Sequence, residues 1–291
     1  MTNGNNQEIF RNMEFKTKVA YCEIHGEYDS RCRLINYWTP CPQCQAVATE
    51  KRNEEQRISD ERQKQERVRK LICNSELPTR FTDRTLDSFV ADTPQKKRAL
   101  SLASEYAEQF DDVLQTGRCA LFIGRPGTGK THLAAGIGLH LMNNGYSVRY
   151  TTVNRLIRRI RSTWSRASEE TEQQAIAAFS RPALLILDEV GVQYGSEAEK
   201  ISLFDVINER YENRMPTLLI SNLDRNGVAE ALGERVFDRL REDAGRVVAF
   251  DWESARHTTV MKAALDETNP KTSTTQQNAG SGVPCTAIAG D

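Results

Sequence analysis

Residues Gly124 to Thr131 read GRPGTGKT, with the apolar run CALFIG (119–124) leading in and a helical pattern from Lys130 through Met142 leading out. Strand, glycine loop and helix in that order let successive backbone N–H groups and a helix N-terminus converge on phosphate oxygens. A second run, ALLILDE (183–189), ends in the adjacent carboxylates Asp188 and Glu189. Together they predict an ATP site with hydrolytic capacity. Gly124, Arg125, Pro126, Gly127, Thr128, Gly129, Lys130, Thr131 and His132 form its phosphate cradle. Lys130 reaches the β and γ phosphates, and Thr131 with Asp188 holds Mg²⁺. Glu189 polarises the attacking water. Asn222, at the tip of TLLISN, orients that water, although a turn-forming Asn at a strand end is common in its own right.

The same region alternates short apolar runs with helical patterns. SVRYTTV (147–153), TLLIS (217–221) and RVVAF (246–250) join the two runs above to give five strands. Continuous apolar strands alternating with helices predict an α/β fold built on a five-stranded parallel sheet, with its ligand at the carboxyl ends of the strands.

At 291 residues the chain has room for one ordinary domain and a smaller module. Its organisation reads as a flexible N-terminus over 1–20, a zinc-binding module over 21–45 and a charged helical linker over 46–77. An ATPase domain over 78–264 and a disordered tail over 265–291 follow. Lys+Arg is 39 against Asp+Glu 40, so bulk charge is silent on nucleic acid and any contact needs a local patch. No run is long enough to span a bilayer and no secretory signal is visible, so the expectation is a cytoplasmic protein without membrane contact. In that compartment seven cysteines read as ligands or buried thiols rather than disulfides. Cys22 and His25, then Cys41 and Cys44, form two pairs at zinc-knuckle spacing, and four ligands leave no open position, so Zn²⁺ is structural. Cys32 is a spare thiol or a substitute for His25.

NRLIRRIRSTWSR (154–166) is the most basic stretch of the ATPase region. Arg158, Arg159 and Arg161 beside Trp164 suit single-stranded DNA, where cations track phosphates and a ring stacks on a base. An amphipathic helix with Leu156, Ile157, Ile160 and Trp164 packed inward fits the same residues.

PGTGKTHLAA, LLILDEVGVQ, LLISN, GERVFDRL and FDWES together resemble the AAA+ domain of bacterial replicative helicase loaders of the DnaC family. The likeness runs from about Phe81 to Arg256. IstB-type transposition ATPases share much of it. The resemblance implies an AAA+ ATPase that binds a hexameric replicative helicase and single-stranded DNA, working as a homo-oligomer whose assembly or DNA stimulates a weak activity. It makes Arg239 the arginine finger, with Arg235 a rival, and Arg256 the second sensor. The cysteine pairs depart from DnaC proper and are similar to the zinc-bearing amino-terminal domain of Gram-positive helicase loaders. That implies helicase docking by residues 21–45, and suggests a phage or prophage origin. Alternatives are an IstB-like ATPase acting on duplex DNA with a transposase, and a DNA-binding adaptor whose ATP site is only a switch.

Overall fold

The computed structural model describes residues 16–34, 37–191, 197–242 and 245–254. The chain divides into two units, Met1–Glu66 and Arg67–Asp291.

In the first unit β1 (Lys16–Cys22) and β2 (Gly26–Leu34) form an antiparallel hairpin, in register from Lys16 opposite Cys32 to Cys22 opposite Gly26. A two-residue β3 (Tyr37–Trp38) adds to β2. Residues 16–20, expected to be flexible, are thus strand. The polar composition of the segment hides this, because the ladder partner that satisfies its backbone lies in β2. Helix α1 (Pro42–Asn74) starts before the charged stretch proper, with Pro42 at its first helical position, where the missing N–H costs nothing. It runs for 33 residues without burying a side chain. Near its end, in the second unit, half-buried Leu71 and Ile72 pack against the core.

A short 3₁₀ turn (Thr79–Phe81) leads to α2 (Pro94–Glu108) and α3 (Phe110–Thr116). Then come β4 (Ala120–Gly124), α4 (Lys130–Asn143), β5 (Val148–Thr152), α5 (Val153–Ser162), α6 (Glu172–Ser180) and β6 (Leu184–Val190). The last elements are α7 (Glu197–Glu212), β7 (Thr217–Ser221), α8 (Arg225–Leu232), α9 (Glu234–Arg241) and β8 (Arg246–Phe250). The five long-range strands pair in parallel in the order β5-β6-β7-β4-β8.

Alternation along the strands fills both faces. Phe122, Tyr150, Ile186, Ile220 and Phe250 join the core formed with α2, α3 and α4. Leu121, Ile123, Leu185, Leu187 and Leu219 join the core formed with α5 to α9. Each face excludes water, which is why these strands read as unbroken apolar runs. β4 lies between β7 and β8. The helix after β4 packs on one face of the sheet and the helices after β7 on the other, which opens a crevice beside β4 at the carboxyl ends, where the glycine loop sits.

Candidate functional site

The loop between β4 and α4 is held from outside by the end of β8. Arg125 N–H donates to Phe250 O at 3.1 Å, and Trp252 Nε1 donates to Thr128 O at 2.9 Å. Gly124 has φ +125°, and a Cβ there would lie 2.3 Å from Phe250 O, so only glycine permits this approach. Gly129 has φ +97°, with the Phe89 ring 2.7 Å from where its Cβ would be. Inside the loop Thr128 Oγ1 donates to Arg125 O at 2.8 Å. Lys130 is buried and its Nζ donates to the carbonyls of Gly124 and Arg125, both at 2.7 Å, which holds the cation against the loop.

Asp188 lies at the carboxyl end of β6 with its side chain tied at both oxygens. Its Oδ2 accepts from Thr131 Oγ1 at 3.0 Å and from Tyr150 OH at 2.8 Å, and its Oδ1 accepts from Glu189 N–H at 2.7 Å. The β6–β7 register slips between Leu187 and Val190, and Glu189 has φ +61°. In an unbroken strand two adjacent side chains point to opposite faces. The bulge re-aims one of them, so that buried Asp188 and exposed Glu189 line the same pocket. Ser221 Oγ donates to Val190 O at 2.6 Å and ties the tip of β7, with Asn222 next to it, to this bulge.

The pocket has a volume of about 600 Å³. Pro126, Gly127, Gly129, Lys130, Thr131 and His132 line one side, and Asp188, Glu189 and Asn222 another. Tyr150, Arg80, Phe81 and Arg84 line it too, and sequence reasoning missed all four. Tyr150 is the middle residue of the run SVRYTTV, where the strand pattern marks it as core and not as pocket lining. Arg80 to Arg84 precede the sheet and carry no motif that marks them. His132 sits edge-on to Phe89, with Nε2 3.0 Å from both Ser88 Oγ and Thr85 O, and its partial burial lowers its pKa.

Arg239 lies elsewhere. It packs over the rings of Phe204 and Tyr211 on α7 and donates to Asn208, whereas Arg235 on the same helix is exposed. Arg256 and the tail over 265–291 lie outside the described residues.

In the basic stretch Leu156, Ile157 and Ile160 are buried, as an amphipathic helix requires, but Trp164 falls past the end of α5 and stays 50% exposed. Arg158 and Arg161 are on the exposed face. Arg159 is bound to Glu170 at 2.7 Å, stands 3.7 Å from Glu76 and covers the Phe179 ring.

A second cluster lies in the first unit. Cys22 at the end of β1, His25 in the hairpin turn, Cys41 before α1 and Cys44 in its first turn bring four ligand atoms within 4.8 Å of one another. Cys22 Sγ is 3.5 Å from Cys44 Sγ and 3.7 Å from His25 Nδ1. His25 Nδ1 is 3.6 Å from Cys41 Sγ and 3.2 Å from Cys44 Sγ. Tetrahedral zinc with sulfur at about 2.3 Å needs ligand edges of roughly 3.8 Å, so the donor set and its spacing fit that ion. Backbone N–H groups of Ile24 and His25 lower the Cys22 thiol pKa to about 6, which favours thiolate. Neighbouring Cys22 raises Cys44 to about 11. Cys32 is not part of the cluster.

Sheet order, glycine loop and the Asp188–Glu189 bulge define an AAA+ P-loop protein. The model of the IstB-like ATP binding protein family matches residues 53–263, and the chain belongs to that family. It is 32% identical over 190 residues to the replicative helicase loader DnaC of Buchnera aphidicola subsp. Schizaphis graminum, covering 65% of this chain and 76% of the relative. Against DnaC of Escherichia coli identity is 36% over 174 residues, covering 59% and 69%. A crystal structure of the DnaC helicase loader superposes with a TM-score of 0.54 at 21% identity, covering 60% of this chain and all of that one. No helix among the described residues is long and apolar enough to cross a membrane.

Proposed function

We propose that this protein is an ATP-hydrolysing loader that binds a hexameric replicative helicase and delivers it to single-stranded DNA, with hydrolysis driving release. The observation that carries the reading is the Thr131–Asp188–Glu189 arrangement on a AAA+ sheet, in a chain whose curated relatives are named helicase loaders.

In this reading Lys130 leaves its two carbonyl partners for the β and γ phosphates. Thr131 and Asp188 hold Mg²⁺, which supplies charge neutralisation when bound. Glu189 accepts a hydrogen bond from the attacking water and Asn222 fixes that water's orientation. Arg239, or exposed Arg235 in its place, reaches the γ-phosphate of a neighbouring copy, so hydrolysis is weak alone and rises on assembly or with DNA. Arg256 touches the nucleotide of its own subunit. Arg158, Arg161 and half-exposed Trp164 contact single-stranded DNA, while Arg159 positions their helix through Glu170. Cys22, His25, Cys41 and Cys44 hold a structural Zn²⁺, and the module around it docks the helicase.

The test is co-assembly with the replicative helicase and ATP, read by sizing and mass measurement, for the full chain and for Cys41→Ser/Cys44→Ser. A stable complex lost in the double variant supports the loader reading and places docking on the zinc module. The family match also favours a second reading, a transposition ATPase on duplex DNA. Duplex binding with no helicase complex in any nucleotide state moves that one ahead.

A further inference from the structure

Asp188 Oδ2 accepts two hydroxyls at once, from Thr131 at 3.0 Å and from Tyr150 at 2.8 Å. Thr131 is the glycine-loop hydroxyl whose chemistry is to turn toward Mg²⁺. Once it turns, Tyr150 is the hydroxyl left on that oxygen, and Glu189 N–H holds only the other one. The Tyr150 phenol is delivered rigidly. Its ring is 4% exposed within the core, and its strand is paired on one side with β6, where Tyr150 faces Ile186. On the other side Tyr150 N–H donates to Ser75 O at 2.7 Å.

We propose that Tyr150 is a positioning residue for the magnesium ligand: its hydroxyl keeps the Asp188 carboxylate aimed into the pocket while Thr131 serves the metal. A tyrosine phenol keeps its proton at physiological pH, so the group remains a donor. A partner of this kind, one hydrogen bond behind a metal-holding carboxylate, sets how tightly the carboxylate is presented. The inference rests on the nucleotide and Mg²⁺ reading of the pocket.

Tyr150→Phe removes one oxygen and keeps the ring. In the full chain, binding of a fluorescent ATP analogue is titrated against Mg²⁺, and separately measured in EDTA. The expected result is a half-saturating Mg²⁺ concentration raised about tenfold, with the EDTA affinity unchanged. The same substitution in an Asp188→Asn background should add nothing to the Mg²⁺ requirement. An unmoved Mg²⁺ requirement, or a shift that persists in full without the Asp188 carboxylate, overturns the proposal. Absence of any Mg²⁺ effect on the unsubstituted protein would instead overturn the nucleotide reading on which it rests.

Discussion

Arg210 is wholly buried on α7, and its bonds among the described residues are to neutral oxygens. Its guanidinium donates to the carbonyls of Phe179, Ser180 and Pro182, each at 2.9 Å, to Pro216 O at 2.5 Å and to Thr217 Oγ1 at 3.0 Å. One side chain thus fastens the turn before β6 and the turn before β7, and burial lowers its pKa to about 10. Arg210→Met removes the donor that these carbonyls share, leaving Pro216 O only a 3.4 Å bond from Leu185 N–H, and should cost at least about 3 kcal/mol in urea unfolding. In the pocket, Glu189→Gln should keep nucleotide affinity and lower the hydrolysis rate roughly a hundredfold or more, read in a steady-state phosphate assay. Unchanged turnover would remove Glu189 from the reaction. The two cases differ in legibility. Glu189 is announced by the apolar run before it, whereas Arg210 sits in a charged helical pattern and looks like any solvated arginine. Only the closing of two distant turns around it reveals its role.

At the scale of elements, α5 shows why an amphipathic pattern does not choose between packing and binding. The inward stripe of Leu156, Ile157 and Ile160 and the outward arginines are both real, and they belong to opposite faces. Arg158→Ala with Arg161→Ala should weaken single-stranded DNA binding and reduce the salt slope by about 1.4, at roughly 0.7 per phosphate contact. An unchanged slope would leave the arginines as solvated surface. The sheet edge carries a separate pairing, in which Arg246 on β8 holds Glu105 on α2 through two bonds of 2.6 and 2.8 Å. That contact lowers the Glu105 pKa, so its stabilisation is complete above the ordinary Glu value and is lost as pH falls through the lower folded value. Glu105→Gln should therefore flatten the acid limb of a melting-temperature profile below about pH 4.5. A profile identical to that of the parent would show that the pair contributes nothing.

For the whole molecule, the assembly question rests on α9. Arg239 is engaged with Phe204, Tyr211 and Asn208 of its own chain, so acting on a neighbour requires it to leave them. Arg235 needs no such release. If Arg239 is the finger, Arg239→Ala should keep nucleotide binding and lower assembly-stimulated hydrolysis by about a thousandfold. Concentration-dependent ATPase assays on Arg239→Ala, Arg235→Ala and their mixtures distinguish the two. Loss of melting temperature without loss of stimulation would assign Arg239 to packing and pass the finger to Arg235.

The α/β class, the five strands and the phosphate loop were determined by the sequence alone. Each follows from a local rule: strands buried on both faces are apolar throughout, and a loop that wraps phosphates needs glycine at fixed steps. The pairs Cys22–His25 and Cys41–Cys44 were equally local, each set within one short turn at a spacing that suits zinc, whereas the hairpin and the start of α1 bring their four donor atoms within 4.8 Å. What depended on the tertiary structure was everything supplied by a partner remote in the chain. The strand from Lys16 exists because β2 satisfies its backbone, and Glu189 joins Asp188 in one pocket because the β6–β7 register slips. Tyr150 reaches Asp188 because β5 and β6 are neighbours in the sheet. Such contacts leave no periodic trace in a sequence, since pairing across a sheet depends on the order in which strands are laid down and not on their spacing along the chain.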